Sequence, residues 1–203
     1  MTVQVLSEIN SFASESRRFL FLLASARING NSEQLARYAA QYLPSESEQV
    51  WLRLSEFEMS QFKDKRHIND GRYAAPEGAM AGLLEATLTA TDIVFVTPLY
   101  WYSLPASAKQ YLDHWSGWMR VPELNFLARM AGKSLWNITV SSDLDQSYAQ
   151  PLIDTLRHSA AYAEMQWRGA LVGYGNRPGD VMQHEASLVA ARVYFLESHS
   201  SVA

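Results

Sequence analysis

The apolar positions of the chain fall into short runs separated by stretches of helical spacing. Residues 19–23 are apolar throughout, which predicts a buried strand over 19–24. A loop of small and polar residues follows. Leu35, Ala36, Ala39 and Leu43 then recur at helical spacing, so a helix is expected from about 32 to 42. Asn31 has the side chain of an N-cap, and Gln34 three positions on completes a capping box; Pro44 and the serines after it end the helix. Val50, Leu52 and Leu54 alternate on one face of a second strand, 50–54, and no regular element is expected over 55–75. Met80, Leu83, Leu84 and Leu88 predict a second helix over 76–91, with Pro76 or Glu77 in its first turn. The run 93–96 predicts a third strand buried on both faces. A third helix starts at Pro105 and runs to about Trp118, with Ala108, Tyr111, Leu112 and Trp115 inward. Residues 119–133 form a mixed connection, partly helical over 126–130. Strand four is expected at 135–140, helix four at 147–165 with Pro151 in its first turn, and strand five at 169–173. Gly173, Tyr174 and Gly175 read as a strand-end turn. Asp180 and Gln183 form a further capping box that opens a last helix to about Glu197. Residues 1–18 read as an N-terminal arm and the final six as a frayed tail.

Strand and helix thus alternate five times along the chain. That alternation predicts one α/β domain: a parallel sheet with helices on both faces. Ligands of such sheets sit at the C-terminal ends of the strands, where the strand order reverses. Three loops are placed there, 25–32, 98–103 and 141–146.

The first loop is built for an anion. A helix N-terminus offers unpaired N–H groups and the positive end of its dipole. Ser25, Asn31 and Ser32 add donors, and Arg27 adds a charge suited to phosphate. No Gly-Lys-Ser follows Gly30 and no G-x-G-x-x-G is present, so neither a triphosphate loop nor a dinucleotide fingerprint is met. A mononucleotide phosphate remains, beside the plainer reading of a buried strand and capped helix that hold nothing. The second loop, with Pro98, Leu99, Tyr100 and Trp101, suits the edge and face of a planar ring. The third offers Ser141 and Ser142 as small donors. Phosphate at one end and a flat ring at the other describe flavin mononucleotide.

Composition narrows the field. The 203 residues are 48 % hydrophobic, enough for a single three-layer core. A net charge of -4 without a long basic run argues against nucleic acid. No apolar stretch approaches the roughly 20 residues of a membrane helix. Arg17, Arg18 and the apolar run after them imitate a secretory signal, but that run is only five residues long, against roughly 7–15 in a signal. Cysteine is absent, which excludes disulfides, thiolate nucleophiles and cysteine-held clusters and fits a reducing cytoplasm. His67, His114, His158, His184 and His199 show no metal-ligand spacing, so no metal is expected. Lys63, Lys65, Arg66, His67 and Arg72 crowd the long 55–75 segment, which reads as a solvated loop or as a lid touching a cofactor phosphate.

The chain resembles the flavodoxin-like NAD(P)H-dependent FMN reductase and quinone reductase family over about residues 19–175. The family's first loop reads G-S-x-R-x-x-G-N-[ST]; here Ala24 stands for the glycine and Ser25, Arg27, Gly30, Asn31 and Ser32 match. Its second reads a-D-x-[IV]-[IV]-x-x-x-P-x-Y-[WN], matched by Asp92, Ile93, Val94, Pro98, Tyr100 and Trp101. Lys109, Asp113, Gly132 and Lys133 also match, and His114 stands where the family often has arginine. The resemblance implies a flavodoxin-like three-layer sandwich with a five-stranded parallel sheet in the order 2-1-3-4-5. It implies that Ser25, Arg27, Asn31 and Ser32 hold the FMN phosphate, that Pro98, Leu99, Tyr100 and Trp101 line the ring, and that Ser141 and Ser142 touch it from the third loop. It further implies hydride transfer from NAD(P)H through FMN to a small-molecule acceptor, in a homodimer or homotetramer, with no catalytic side chain. The reading from another class is a flavodoxin-type electron carrier that does not use NAD(P)H; such carriers tend to be strongly acidic, which -4 is not.

Overall fold

The computed structural model describes residues 17–197. Its sheet is wholly parallel: β1 (Arg18–Leu23), β2 (Glu48–Arg53), β3 (Asp92–Pro98), β4 (Ser134–Ser141) and β5 (Gln166–Tyr174), in the order β2-β1-β3-β4-β5. The expected architecture and strand order are both met. Six α-helices accompany it among the described residues: α1 (Asn31–Ala40), α2 (Gly78–Thr89), α3 (Ala106–Trp118), α4 (Phe126–Met130), α5 (Gln150–Tyr162) and α6 (Glu185–Glu197).

The apolar runs of β1, β3 and β4 follow from their being covered on both sides. On one face Phe19, Phe21, Val94, Val96, Trp136 and Ile138 meet Leu35, Ala36 and Ala39 of α1 and Ala191 and Phe195 of α6. On the other, Leu20, Leu22, Ile93, Phe95 and Leu135 meet α2, α3 and α5 through Leu83, Ala108, Tyr111, Trp115, Leu152 and Leu156. Each valine, leucine, isoleucine or phenylalanine among them, fully buried, contributes about 1.5–3 kcal/mol.

Two polar anchors close the end of the sheet away from the loops. Asp92, 1 % exposed, accepts from Arg17 Nε at 3.0 Å, Thr91 Oγ at 2.7 Å and the indole Nε1 of Trp136 at 2.8 Å. Lys133 reaches back to the end of α2, donating to the carbonyls of Leu88 and Ala90. Burial lowers the Lys133 pKa, and the nearby Arg129 charge adds to that. A cation on the last carbonyls of a helix is a C-cap. Lys133→Ala is therefore expected to destabilise the fold by about 1–2 kcal/mol, read from the urea midpoint. No change in midpoint would show that water replaces the amine.

The differences from expectation are local. Asn31 does not cap α1. The N-cap is Gly30 and receives no side-chain bond, and Asn31 opens the helix instead. Asp180 and Gln183 do not open the last helix either: 180–183 is a separate 3-10 turn behind Gly179 (φ +89°), and α6 begins at Glu185, where His184 Nδ1 meets Ser187 Oγ at 2.8 Å. Helix four is likewise split into a 3-10 turn and α5, which keeps Pro151 in its first turn as expected. β5 is longer than the 169–173 run, pairing with β4 from Gln166 to Tyr174 across a register shift between Leu135 and Asn137 beside which Gly169 has φ +99°. The Tyr194 hydroxyl fills that irregularity, accepting from Asn137 N–H and bonding the Asn137 and Gly169 carbonyls. The 55–75 segment carries only two short 3-10 turns, as expected, but it is stitched to α3: Gln110 donates to the carbonyls of Met59 and Ser60, and His114 Nε2 lies 2.9 Å from the Ser60 carbonyl. Of the N-terminal arm, residues 1–16 lie outside the described residues; Arg18 already belongs to β1.

Candidate functional site

The three loops meet at the C-terminal edge of the sheet. The first leaves β1 through Ala24, whose N–H donates to the Val96 carbonyl at 2.9 Å. Ser25 is buried and its Oγ accepts the Arg27 N–H at 3.0 Å, a local turn that coils the backbone around the hydroxyl. Asn29 takes a left-handed conformation, φ +53°. The chain then enters α1, whose first intrahelical bond runs from Gln34 N–H to the Gly30 carbonyl at 2.9 Å. The N–H groups of 31–33 precede that bond, so the helix leaves them for another acceptor.

Behind the loop lies a buried ion-pair network. Glu33 is 4 % exposed and stands in the first turn of α1. Its carboxylate accepts from Arg53 Nη2 at 2.6 Å, Arg37 Nη2 at 2.9 Å and the Asn29 N–H at 2.9 Å. The same Arg53 donates from Nη1 to the carbonyls of Arg27 at 3.2 Å and Ser25 at 3.5 Å. Burial works to raise the Glu33 pKa, but the bonds from Arg53, Arg37 and Asn29 outweigh it and hold the group below its ordinary value. A carboxylate depressed by folding contributes stability that is whole above its unfolded pKa and is lost as pH falls through the folded one. The wild type is thus expected to lose stability relative to Glu33→Gln as pH drops below the ordinary value of 4.5. Parallel urea titrations of the two proteins check this; curves that stay parallel through that range would contradict it.

The second loop is a tight turn. Leu99 N–H donates to Val140 O, and Tyr100 and Ser103 exchange N–H to carbonyl bonds at 3.3 and 3.0 Å. Between them Trp101 and Tyr102 both have positive φ, +49° and +61°. A two-residue turn of this hand usually uses Asn-Gly, and bulky residues there store about 1–3 kcal/mol each. At the tip of this turn Trp101 is 92 % exposed, and the Tyr102 ring packs against Tyr148 with centroids 5.6 Å apart. In the third loop Ser141 is buried, its Oγ accepting from Asp143 N–H and its carbonyl from Gly175 N–H.

A cleft of about 240 Å³ opens where these loops converge. Eight of the ten residues expected from the sequence line it: Ser25, Arg27, Asn31, Ser32, Pro98, Leu99, Tyr100 and Ser142. The other two, Trp101 and Ser141, line an adjoining cleft of about 290 Å³ that shares Leu99 and Ser142 and includes Tyr102, Asp143 and Tyr148. Gly30 of the first loop lines the first cleft as well, and Val140, Gly175 and Asn176, which were not expected, complete it. Gly173 and Tyr174, expected in a strand-end turn, instead close β5, and the chain leaves the strand through Gly175 into a fourth loop of the site. A Cβ at Gly175 would stand 2.8 Å from Asn31 Nδ2 and 3.0 Å from the Val181 nitrogen, so glycine is required for that approach. The Asn31 amide is engaged there, donating to the Arg177 carbonyl and accepting from Gly179 N–H at 2.9 Å each. Asp180 holds the same loop by accepting from the Asn176 and Arg177 N–H groups.

Two larger cavities, of about 480 and 380 Å³, lie along α3 and share no residue with the clefts. His114 belongs to the larger one, beside Phe62 and Trp118. Among the described residues no group of histidine and carboxylate side chains is placed to hold a metal ion, and no helix is long and apolar enough to cross a membrane.

The donor set fits the phosphate of FMN. Exposed Arg27 and, from the first turn of α1, Asn31 and Ser32 line the first cleft together with Pro98, Leu99 and Tyr100 of the second loop. Arg27 lines this cleft and, among the described residues, enters no ion pair, whereas Arg37 and Arg53 are both paired with Glu33.

Comparison with known proteins accords with this architecture. The model of the family described as "Flavodoxin-like fold" matches residues 17–197. YwqN of Bacillus subtilis (strain 168), under a name that proposes an NAD(P)H-dependent FMN-containing oxidoreductase, is 29 % identical over 166 residues, covering 81 % of this chain and 89 % of its own. The structure titled Trp repressor binding protein from Bacillus subtilis is 25 % identical, with a TM-score of 0.68 over 87 % of this chain and 96 % of that one. An FMN-dependent NADH-azoreductase from Bacillus anthracis, solved with FMN, shares the fold at 14 % identity, with a TM-score of 0.59 over 86 % and 98 % of the two chains.

Proposed function

The chain belongs to the flavodoxin-like fold family, and from that premise we propose that it is an FMN-dependent NAD(P)H oxidoreductase that delivers hydride from a nicotinamide to a small acceptor such as a quinone or a flavin. The observation that carries this is the convergence of a phosphate loop and an aromatic loop on one cleft, with eight of the ten expected site residues lining it. The name of YwqN supports the same activity.

FMN, when bound, supplies the hydride chemistry itself. The chain's own residues hold and orient it. Ser25, Arg27, Ser32 and the first N–H groups of α1 take the phosphate, and Asn31 secures the 175–180 loop that closes the cleft beside them. Pro98, Leu99 and Tyr100 wall the ring site; Trp101, Ser141 and Ser142 bound the adjoining cleft. The adjoining space, lined by Leu99, Tyr102 and Tyr148 among others, takes the nicotinamide and then the acceptor in turn. No side chain serves as general acid or base, so the protein's share is positioning and electrostatics. The resemblance to the reductase family supports a homodimer or homotetramer, and the cysteine-free composition suits a reducing cytoplasm.

Steady-state kinetics of the FMN-loaded protein with NADPH or NADH and a benzoquinone test the proposal. Parallel double-reciprocal lines are expected, because donor and acceptor occupy one space in turn. A protein that turns over neither nicotinamide, yet whose flavin is reduced by dithionite, would be an electron carrier.

A further inference from the structure

We propose that Arg53 and Glu33 are positioning residues for the cofactor phosphate, and that together they set the preference of the site for FMN over unphosphorylated riboflavin. The inference rests on the FMN reading above. Neither side chain lines the cleft; both act from behind the loop.

Arg53 ends β2, paired in register with Leu23 at the end of β1, so it stands beside the point where the loop departs. Its guanidinium draws in the carbonyls of Ser25 and Arg27. A trans peptide points its N–H opposite to its C=O. Holding those two carbonyls toward Arg53 therefore turns the Ala26 and Ile28 N–H groups away from it. Arg53 thus fixes the backbone on which Ser25 and Arg27, both lining the cleft, are carried, without lining the cleft itself.

Glu33 sharpens the point. A buried carboxylate in the first turn of α1 lies at the helix end that would receive a phosphate dianion, and by itself it opposes that anion. Arg53 and Arg37 both bond it, and Arg53 is the more buried of the two partners, 11 % exposed against 50 %. In exchange, Glu33 accepts the Asn29 N–H and fixes the left-handed corner of the loop. The pair thus shapes the loop at the expense of a negative charge that Arg53 must mask. Removing Arg53 frees two carbonyls and unmasks the carboxylate; removing Glu33 as well relieves the second effect only.

FMN and riboflavin titrations of wild type, Arg53→Met, Arg53→Lys, Glu33→Gln and the Arg53→Met/Glu33→Gln double variant test this, with circular dichroism confirming that each is folded. Arg53→Met is expected to raise the Kd for FMN about 10–100-fold while moving that for riboflavin by less than about 3-fold. The double variant is expected to regain about 5-fold or more of the FMN affinity lost. Arg53→Lys, which keeps charge but not the fork, is expected to fall between wild type and Arg53→Met. Equal weakening of FMN and riboflavin would reduce Arg53 to a structural part and overturn the proposal, as would an unchanged Kd or a double variant no better than Arg53→Met. Should Arg53→Met fail to fold, Arg53→Lys and Glu33→Gln carry the same comparison. A wild type that binds neither flavin overturns the FMN reading itself; one that binds both equally overturns only the proposal.

Discussion

Asp92→Ala is expected to lower the unfolding free energy by about 3–5 kcal/mol, the largest single effect on stability. The carboxylate is 1 % exposed and gathers three donors from three parts of the chain: Arg17 before β1, Thr91 before β3 and Trp136 on β4. Alanine leaves the indole N–H of a fully buried tryptophan without its acceptor and removes one acceptor from a guanidinium that is mostly covered and lies 4.6 Å over the Phe19 ring. Removing one partner of a buried pair harms more than the pair's net worth, because the other keeps its desolvation penalty. Domains have only about 5–15 kcal/mol to lose. Urea unfolding checks the prediction. Asp92→Asn, which keeps an acceptor for Trp136, is expected to lose less. A loss under about 1 kcal/mol for alanine would show that the network is not a stabilising joint.

Arg27→Ala is expected to weaken FMN binding by about 1.5–3 kcal/mol, roughly 10–150-fold, with little change in folding stability. The two halves of that statement have one cause. Arg27 is exposed at the cleft and enters no ion pair among the described residues, so on the proposed reading its charge serves the ligand rather than the fold. Its neighbour in chemistry, Arg53, is the reverse case: buried, bonded to Glu33, and directed at carbonyls. Equilibrium titration of FMN, with a thermal melt alongside, checks both halves. An unchanged affinity would remove Arg27 from the phosphate site.

The sheet was legible because strands covered on both faces read as unbroken apolar runs, and β1, β3 and β4 are such strands. β5 was undercounted for the opposite reason. It is an edge strand with a register shift at 135–137, and Gln166 and Arg168 interrupt its pattern. The site loops were legible as local chemistry: Ser25, Arg27, Pro98 and Tyr100 lie where the strand ends place them. Asn31 was legible as a polar residue at a helix start, but not in its task. The cap geometry that local spacing suggests competes with the Arg177 carbonyl and Gly179 N–H, nearly 150 positions away in the chain. Asp180 departs in the same way, engaged by the N–H groups of 176 and 177 rather than by a helix. Gly175 and Asn176 join the site only because that fourth loop folds over α1, and no spacing rule carries such a contact. Glu33 and Arg53 are twenty residues apart, and their meeting depends on β2 lying beside β1. The strain at Trp101 and Tyr102 is also hidden in sequence, since neither residue type announces a positive φ.

The central claim is that the cleft between the 25–32 and 98–103 loops holds FMN and exposes it to a nicotinamide. The most direct measurement is the visible absorption spectrum of the protein after loading with FMN and gel filtration, followed without oxygen on addition of NADPH or NADH. The account predicts a retained flavin band that bleaches with at least one of the two donors. A protein that emerges from the column without flavin would contradict it.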